Sequence, residues 1–452
     1  MEGLASGLWV IKFHEVLIWY FVCETKSSFV LAGCYTPLLT RHRLNCPRIL
    51  TPYCLTDHLM KAIEKTLDDL PNIGADTLYE RAYSLRMGEG VRVNFRAAHR
   101  LFMLAALMGK RAAFYQLGLM NMRAEGRPAD RLRAAMWLKL GVGRDEPRAA
   151  RNLEMVASEL TRAQVKEALA LADEFPHIAR AFKTALLGND ADALVTVGEA
   201  FAEGLGLDID PEMASEWYRR ALAFRHPRAQ MQLGLAYLAG DGVKRQPDEG
   251  LVLLNMAAEQ GYADAEYELA EVLFQRAATH DQAVALFEAA ANHGQLRAQF
   301  RLGQLCKAGE VGRSGPRTST AHRDTVPHLR MAFEWFHKAA EQGDVEALFE
   351  QGQMHAQGLG TPQDFDAAAE CYQEAAEKGH AKAAFNLGFL FAHGQGVEQD
   401  DVRAYQWYRI SELAGYALAK SSATLCLKRL NAKEKELAEW RAESFLTQIS
   451  LS

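Results

Sequence analysis

The sequence predicts an all-α fold, a solenoid built from stacked antiparallel helix hairpins. Pairs of the form Gly-x-Gly recur along the chain, and the intervals from Gly204 to Gly240 and from Gly358 to Gly394 are both 36 residues. The same period relates other positions: Gly198 and Gly234, Gly352 and Gly388, and Trp335, Cys371 and Trp407. A fixed period of this length is typical of solenoids, in which each unit buries its apolar face only against its neighbours.

Each repeat contains a first helix, helix A, that ends at the glycine pair. In the last copy Ala383, Leu387 and Phe391 are spaced by four residues, which places them on one helical face. The pair that begins at Gly394 then turns the chain, because glycine adopts a positive φ at little steric cost. Asp400 follows where it can cap, or lie near, the N-terminus of the next helix.

The second helix of each repeat, helix B, carries alanines and an aromatic residue spaced by three and four, as in Ala332, Trp335 and Ala339. The alanines allow the helix backbones to approach closely, and the aromatic ring fills the gap between neighbouring hairpins. If Trp335 is buried there, its replacement by alanine should cost about 3 to 5 kcal/mol.

Composition and motifs exclude several classes of protein. Hydrophobic residues make up 49% and charged residues 24% of the 452 residues, so the chain can bury a core. The formal net charge of -6 gives no reason to expect binding to nucleic acid. The glycine pairs follow a helix rather than a strand, and no GxxxxGK(S/T), GxSxG or HExxH motif occurs. We therefore predict no catalytic residue, no cofactor and no metal site.

Residues 1–59 differ in composition from the rest of the chain and form an unassigned leader. Its most apolar stretch, from Leu8 to Val22, contains Lys12, His14 and Glu15. A membrane-spanning helix needs about 20 mostly apolar residues, and a secretory signal needs an uninterrupted apolar core. The leader therefore predicts neither a membrane span nor a good secretory signal.

Three interpretations of this leader stay open. Translation starts instead at Met60, where charged helical sequence begins, or the leader is a genuine unstructured or membrane-adjacent segment. The third interpretation takes Leu31-Ala32-Gly33-Cys34 as the lipobox of a bacterial lipoprotein, with Cys34 lipidated. We expect a cytoplasmic protein, and the lipoprotein of the cell envelope or periplasm is the alternative. Contact with a membrane is expected only if Cys34 is lipidated.

A second symmetry relates two segments 270 residues apart. The matching pairs are Trp137 and Trp407, Leu160 and Leu430, Ala168 and Ala438, Ala172 and Ala442, and Phe175 and Phe445. Because a solenoid needs terminal units with a polar outer face, we interpret both segments as caps. The predicted divisions are a first array at 60–141, a helical cap or junction at 142–189, a second array at 190–416 with a loop insertion at 310–327, and C-terminal capping helices at 417–452. We further expect that the two arrays can move against each other.

The repeat resembles the Sel1-like repeat, a relative of the tetratricopeptide repeat. The matching pattern is A-x-A-x-x-x-L-G-x-x-Y-x-x-G-x-G-V followed by D-x-x-x-A-x-x-W-x-x-x-A-A-x-x-G. Eight copies are recognisable, at 76–110, 111–141, 190–226, 227–262, 263–295, 296–344, 345–380 and 381–416. The resemblance implies a right-handed superhelix of hairpins and roles in assembling signalling, envelope or quality-control complexes.

We therefore predict a non-catalytic scaffold or adaptor that binds a protein or peptide partner on the surface of the solenoid. Candidate contact residues on helix A are Gln232, Glu350, Gln353 and Asn386, whose side chains can hydrogen-bond a bound backbone. A capping or packing role is the alternative for each of them. Two other functions stay open: a hydrolase or transferase with a site in the solenoid groove, and an envelope lipoprotein that assembles partners.

Overall fold

The computed structural model describes residues 8–13, 16–21, 72–142, 146–187, 190–311 and 325–451. The chain forms two compact units, Met1–Thr66 and Leu67–Ser452. In the first unit, strands β1 (Leu8–Phe13) and β2 (Val16–Phe21) pair in antiparallel register. The rest of the predicted leader, with Cys34 and the alternative start at Met60, lies outside the described residues.

The described residues of the second unit form twenty α-helices and no strand, which confirms the all-α prediction. In chain order they are α1 (Ala75–Met87), α2 (Phe95–Leu107), α3 (Arg111–Met122), α4 (Arg131–Gly141), α5 (Pro147–Ser158), α6 (Arg162–Leu187), α7 (Ala191–Glu199), α8 (Pro211–Ala221), α9 (Pro227–Ala239), α10 (Pro247–Ala258), α11 (Ala263–Phe274), α12 (His280–Asn292), α13 (Leu296–Lys307), α14 (Thr325–Glu341), α15 (Val345–Gln357), α16 (Phe365–Glu377), α17 (Ala381–His393), α18 (Asp401–Leu413), α19 (Ala419–Arg429) and α20 (Ala432–Leu451).

Sixteen of these helices pair into hairpins, which we number 1 to 8 in chain order. The hairpins are α1/α2, α3/α4, α7/α8, α9/α10, α11/α12, α13/α14, α15/α16 and α17/α18. In hairpin 2 and in hairpins 4 to 8, the first helix packs on the second helix of the preceding hairpin. Contacts between consecutive elements therefore build the unit, as expected of a helical solenoid.

Glycines and aspartates set the helix boundaries as the sequence predicts. Gly358 and Gly394 end α15 and α17 in the left-handed conformation, with φ values of 67° and 62°. Asp364 and Asp400 cap the following helices, since each carboxylate accepts a hydrogen bond from the backbone N–H three residues later at 3.0 Å. The second glycine of the pair has another reason to be small. A Cβ at Gly396 would collide with the backbone of Phe365, at the start of helix B in the preceding hairpin.

The fully buried aromatic side chain of helix B in hairpin 6 is Phe336 and not Trp335. Phe336 is 0% exposed and lies against Gly303 of α13, where an added Cβ would be 2.6 Å from its ring. Trp335 is half-buried, and the Lys338 ammonium lies 4.0 Å from the centre of its ring. Trp335 occupies the tryptophan position of the repeat pattern, and the residue after it, Phe336, faces helix A of the same hairpin. We therefore expect the large loss of stability for Phe336→Ala and not for Trp335→Ala.

The two segments that match at an offset of 270 residues also match in their packing. Helices α5 and α6 both pack on α4, and α19 and α20 both pack on α18. The rings of Trp137 and Phe175 meet edge-on with centroids 5.6 Å apart, and those of Trp407 and Phe445 do so at 5.2 Å. The proposed bounds of arrays and caps stay a prediction. The described helices of both arrays belong to one compact unit, which gives no support to free movement between them.

Only the two ends of the predicted loop insertion at 310–327 fall within the described residues. Val311 is described and buried, and α14 begins at Thr325, inside the predicted loop. Residues 312–324 lie outside the described residues. Among the helices that the structure describes, none combines the length and the apolar character needed to cross a bilayer.

Candidate functional site

Three of the four predicted contact residues occupy the same position in their repeats. Gln232, Glu350 and Asn386 each lie two residues before the helix A glycine, on α9, α15 and α17, and Gln353 follows the glycine of α15 by one residue. All four side chains are half-buried. The structure therefore distributes them over hairpins 4, 7 and 8 and does not gather them into one pocket.

This position contacts the preceding hairpin. The Glu350 carboxylate accepts a hydrogen bond from the Lys307 ammonium of α13 at 2.6 Å. At the equivalent place between hairpins 1 and 2, the Arg86 guanidinium donates a hydrogen bond to the Gln116 side chain. The row therefore helps to join successive A helices, which is the packing role that the sequence left open.

Asn386 also has a partner within the stack. Its side chain hydrogen-bonds the Tyr372 hydroxyl of hairpin 7, while burial raises the pKa of Tyr372 to about 12. The phenol therefore stays neutral and holds Asn386 at the boundary of two hairpins. Whether Gln232, Glu350, Gln353 and Asn386 also contact a partner stays a prediction.

A buried polar cluster, which the sequence did not predict, lies where hairpin 3 meets hairpins 1 and 2. The Asp208 side chain, in the loop between α7 and α8, is 0% exposed. Its Oδ2 atom lies 2.8 Å from His99 Nε2, accepts hydrogen bonds from Trp137 Nε1 at 2.9 Å and Asn121 Nδ2 at 3.0 Å, and lies 3.3 Å from Arg127 Nη1. One carboxylate thus joins α2, α3, α4 and the loop after α3.

The electrostatics of this cluster favour an ionised Asp208. Burial alone would raise the pKa of the carboxyl, but the hydrogen bond and charge of His99 and the charge of Arg127 outweigh burial. The pKa of Asp208 therefore lies well below its usual range. A buried charge with this many donors stabilises the arrangement of the helices that supply them, and loss of one partner would be costly.

A second set of contacts surrounds the first. The Arg100 guanidinium of α2 donates to both carboxylate oxygens of Asp210, at 2.5 and 2.6 Å, and to Glu212 at 2.6 Å. Asp210 also caps α8 by accepting from the Met213 N–H. The carbonyl of Leu207 accepts a hydrogen bond from Arg133 at 2.6 Å. The loop before α8 is therefore bound to α2 and α4 by charged side chains as well as by Asp208.

A cavity of about 240 Å³ lies beside the cluster. Its lining is Arg96, His99, Arg100, Gly126, Arg127, Pro128, Ile209, Asp210 and Pro211. A histidine held by a buried aspartate is the arrangement that orients a general base. The lining offers it no hydroxyl, thiol or amine group, and its arginines face carboxylates of the same cluster. We assign the cluster to joining the hairpins. Asp208 precedes the capping Asp210 by two residues, but Glu398 precedes the capping Asp400 by the same spacing, so this pattern alone does not indicate the cluster.

The described cysteines stand apart from one another. Cys306, Cys371 and Cys426 are free thiols, and burial raises the pKa values of Cys306 and Cys371 to about 11. A thiol with such a pKa is mostly protonated at neutral pH and is a poor nucleophile. In the part of the chain that the structure describes, His, Cys, Asp and Glu side chains form no group of three suited to a metal ion.

Comparison with known proteins agrees with the repeat pattern. The family model of the Sel1 repeat matches residues 75–110, 112–145, 191–223, 227–262, 263–295, 325–344, 345–380 and 381–416. An uncharacterised Sel1-like repeat-containing protein of Schizosaccharomyces pombe is 36% identical over 52 residues, 12% of this chain and 8% of that protein. An uncharacterised protein of Neisseria meningitidis serogroup B is 28% identical over 212 residues, 42% of this chain and 44% of that protein.

The chain thus spans less than half the length of these two relatives. Among solved structures, a protective antigen present in uropathogenic Escherichia coli strains, described as displaying an SLR fold, is similar to this chain. It is 25% identical with a TM-score of 0.39, over 85% of this chain and 94% of that one. The eight matched repeats cover more than half of the sequence. The chain therefore belongs to the Sel1 repeat family.

Proposed function

We propose that the protein is a non-catalytic scaffold that binds a protein or peptide partner on the exposed faces of its A helices. One observation carries the proposal. In successive hairpins the buried positions of helix A hold the same types of residue. The residue after the helix A glycine, in contrast, differs from hairpin to hairpin. In hairpins 3 to 8, where Ala270 stands in place of the glycine in hairpin 5, it holds Glu199, Leu235, Glu271, Gln304, Gln353 and Phe389. A row with regular spacing and varied chemistry is what recognition of one extended partner requires.

The end of this row offers the clearest contact residues. Phe389 of α17 is 41% exposed although its neighbours Leu390 and Phe391 are buried. Gln353 holds the equivalent position in hairpin 7 and is half-buried. An exposed aromatic ring next to a polar amide suits a peptide that presents an apolar side chain beside its backbone. The proposal includes a cytoplasmic location.

Capture of the C-terminally tagged chain from its native cells, followed by mass spectrometry, tests this function. We expect a stoichiometric protein partner that binds the purified chain in isothermal titration. The variants Gln353→Lys and Phe389→Glu should weaken that binding about ten-fold or more, because they change charge at the proposed contact. Met331→Glu is the matched control, since Met331 is 38% exposed on helix B of hairpin 6.

The same capture contains the outcomes that contradict the proposal. A protein that purifies alone, and binds nothing in titration, would point to an enzyme or small-molecule binder. Equal affinity of the Phe389→Glu and Met331→Glu variants for the partner would exclude the A helices as the binding face. A tagged chain whose N-terminal peptide begins at a lipidated Cys34 would contradict the cytoplasmic location.

A further inference from the structure

The outer face of helix B in hairpin 4 differs from those of hairpins 3, 6 and 7. On α10, Val252 is 59% exposed and Met256 is 40% exposed. The residues at the same two positions of the other hairpins are Glu216 and Arg220, Glu334 and Lys338, and Glu370 and Glu374. Charged residues there are expected on a solvated helix face. Among these four hairpins, only hairpin 4 exposes two apolar residues one helical turn apart. Such an exposed apolar pair indicates a binding surface.

A groove lies beside this pair. It has a volume of about 430 Å³ and is lined on its apolar side by Leu222, Leu233, Tyr237, Val252 and Leu253, from α8 to α10. Pockets that hold a ligand group typically measure about 300 to 1,000 Å³, so this groove has room for a large side chain.

The sequence of hairpin 4 explains why the groove exists. Leu253 occupies the tryptophan position of the repeat, which in hairpin 3 holds Trp217 with 0% exposure. In hairpin 3 the ring of Phe182 packs edge-on against Trp217 with centroids 5.5 Å apart. The smaller Leu253 leaves space where a pair of rings fits elsewhere.

The rim of the groove carries uncompensated negative charge. Asp248 and Glu249 line it in the first turn of α10, and both side chains are exposed. Among the described residues neither carboxylate takes part in an ion pair, whereas Arg219 on the opposite rim pairs with Glu216. A cationic group on a bound molecule would therefore find two acidic side chains next to an apolar floor.

We propose that this groove, between helix B of hairpin 3 and both helices of hairpin 4, binds a peptide segment of a partner protein. The segment inserts one large apolar side chain, phenylalanine, tryptophan or leucine, between Leu222 and Val252. A lysine or arginine beside it faces Asp248 and Glu249. The inference rests on the proposed scaffold function and adds a second surface, formed by residues of α8, α9 and α10, with a defined partner chemistry.

Selection from a displayed peptide library against the full chain tests this site. We expect enriched peptides that share an aromatic or leucine residue with lysine or arginine next to it. Fluorescence anisotropy with one such labelled peptide should show about ten-fold or more weaker binding to a V252E/M256K variant. That variant carries the glutamate and lysine that hairpin 6 already has at these positions, Glu334 and Lys338, so it should fold, and its melting temperature checks this. The variant D248N/E249Q should weaken binding less and make it less sensitive to salt.

Met331→Glu again serves as the control and should bind the peptide as the wild type does. The proposal is overturned if no peptide is enriched, if the V252E/M256K variant binds within two-fold of wild type, or if selected peptides carry acidic instead of basic residues. A wild-type dimer that V252E/M256K converts to a monomer in sedimentation would identify a second copy as the occupant, which also contradicts it. Failure here together with a captured partner that depends on Phe389 would leave the scaffold function standing and remove only this groove.

Discussion

Helices α5 and α6 lie between hairpins 2 and 3, and helices α19 and α20 follow hairpin 8. The two pairs of helices have the same internal packing but different outer faces. Both modules place a phenylalanine ring, Phe175 or Phe445, edge-on against a helix B tryptophan, and both bury the alanines Ala168 and Ala438 at equivalent positions. Both begin their last helix with a capping box, formed by Thr161 and Gln164 in one module and by Asn431 and Glu434 in the other.

The difference lies in what each module presents to its surroundings. Helix α6 continues past its aromatic residue and buries Ile178 and Phe182 at 3% and 0% exposure, the latter against Trp217 of hairpin 3. In the terminal module, Leu437 and Trp440 are 41% and 62% exposed. The same packing of two helices therefore forms a junction between hairpins in one place and the terminal module in the other. The residues outside the shared core determine which of the two it forms. The end is also less polar than a solenoid cap is expected to be.

The strongest test of this comparison is Phe182→Ala. It removes the ring that joins α6 to hairpin 3, and we expect a loss of about 3 to 5 kcal/mol in the free energy of unfolding, measured in urea. Leu187→Ala, at a position 90% exposed near the end of the same helix, is the control and should stay within about 0.5 kcal/mol of wild type. A loss under about 1 kcal/mol for Phe182→Ala would mean that the extension of α6 does not join the two parts.

The second test removes the charge at the junction and is expected to be smaller. Asp208→Asn keeps the size of the side chain but loses charge-assisted hydrogen bonds, and we expect a cost of about 1.5 to 3 kcal/mol at neutral pH. Asp401→Asn is its counterpart at the end of the stack, where Asp401 lies 3.3 Å from Arg429 at the surface. There the loss should be at most about 1 kcal/mol.

The stability difference between wild type and Asp208→Asn should depend on pH. Because the pKa of folded Asp208 is lowered, its contribution is present above the unfolded pKa of about 3.9 and disappears as the pH falls through the folded value. The stability difference between wild type and Asp208→Asn should therefore be constant near neutral pH and shrink in acid. A difference that grows on acidification would contradict an ionised Asp208.

A smaller effect tests whether the two modules are interchangeable. Arg131 and Glu159 form an ion pair at 2.7 Å, and at the offset of 270 residues the same two positions hold Asp401 and Arg429 with the charges exchanged. Each single variant, Arg131→Asp and Glu159→Arg, should cost up to about 1 kcal/mol. The double variant should regain most of this loss. A double-mutant cycle with no coupling energy would show that the Arg131–Glu159 pair does not stabilise its module.

The smallest effect is expected on the exposed end. Trp440→Ser should change the free energy of unfolding by about 0.5 kcal/mol or less, because most of the side chain faces solvent. A loss above about 1 kcal/mol in thermal unfolding would show that the ring is covered in solution. Such a result would mean that the outer face of the terminal module is covered, as the outer face of the junction module is.

Local chemistry made much of the fold predictable. The glycine pairs, the capping role of Asp364 and Asp400, and the helical spacing within each repeat all act within one turn of the chain, and the structure confirms them. The choice between Trp335 and Phe336 was not predictable. It depends on which of two adjacent aromatic side chains faces Gly303 across the hairpin, and the repeat pattern alone does not distinguish them.

The candidate site was predictable only as a type of surface. The spacing placed Gln232, Glu350 and Asn386 on one row of the A helices, but their contacts with neighbouring hairpins depend on side chains such as Lys307 and Tyr372 from the hairpin before. The apolar groove of hairpin 4 depends on the packing of α8 to α10, which leaves Val252 and Met256 exposed beside it.

Repetition in the chain was enough to establish the family, the hairpin unit and the count of repeats, because each unit is built from contacts between residues close in sequence. Contacts over long separations required the folded molecule. Asp208 meets His99 across more than 100 residues, and no periodicity relates the two. A carboxylate in a loop looks the same in sequence whether water or four donors surround it, and only the packing of hairpin 3 on hairpins 1 and 2 removes the water.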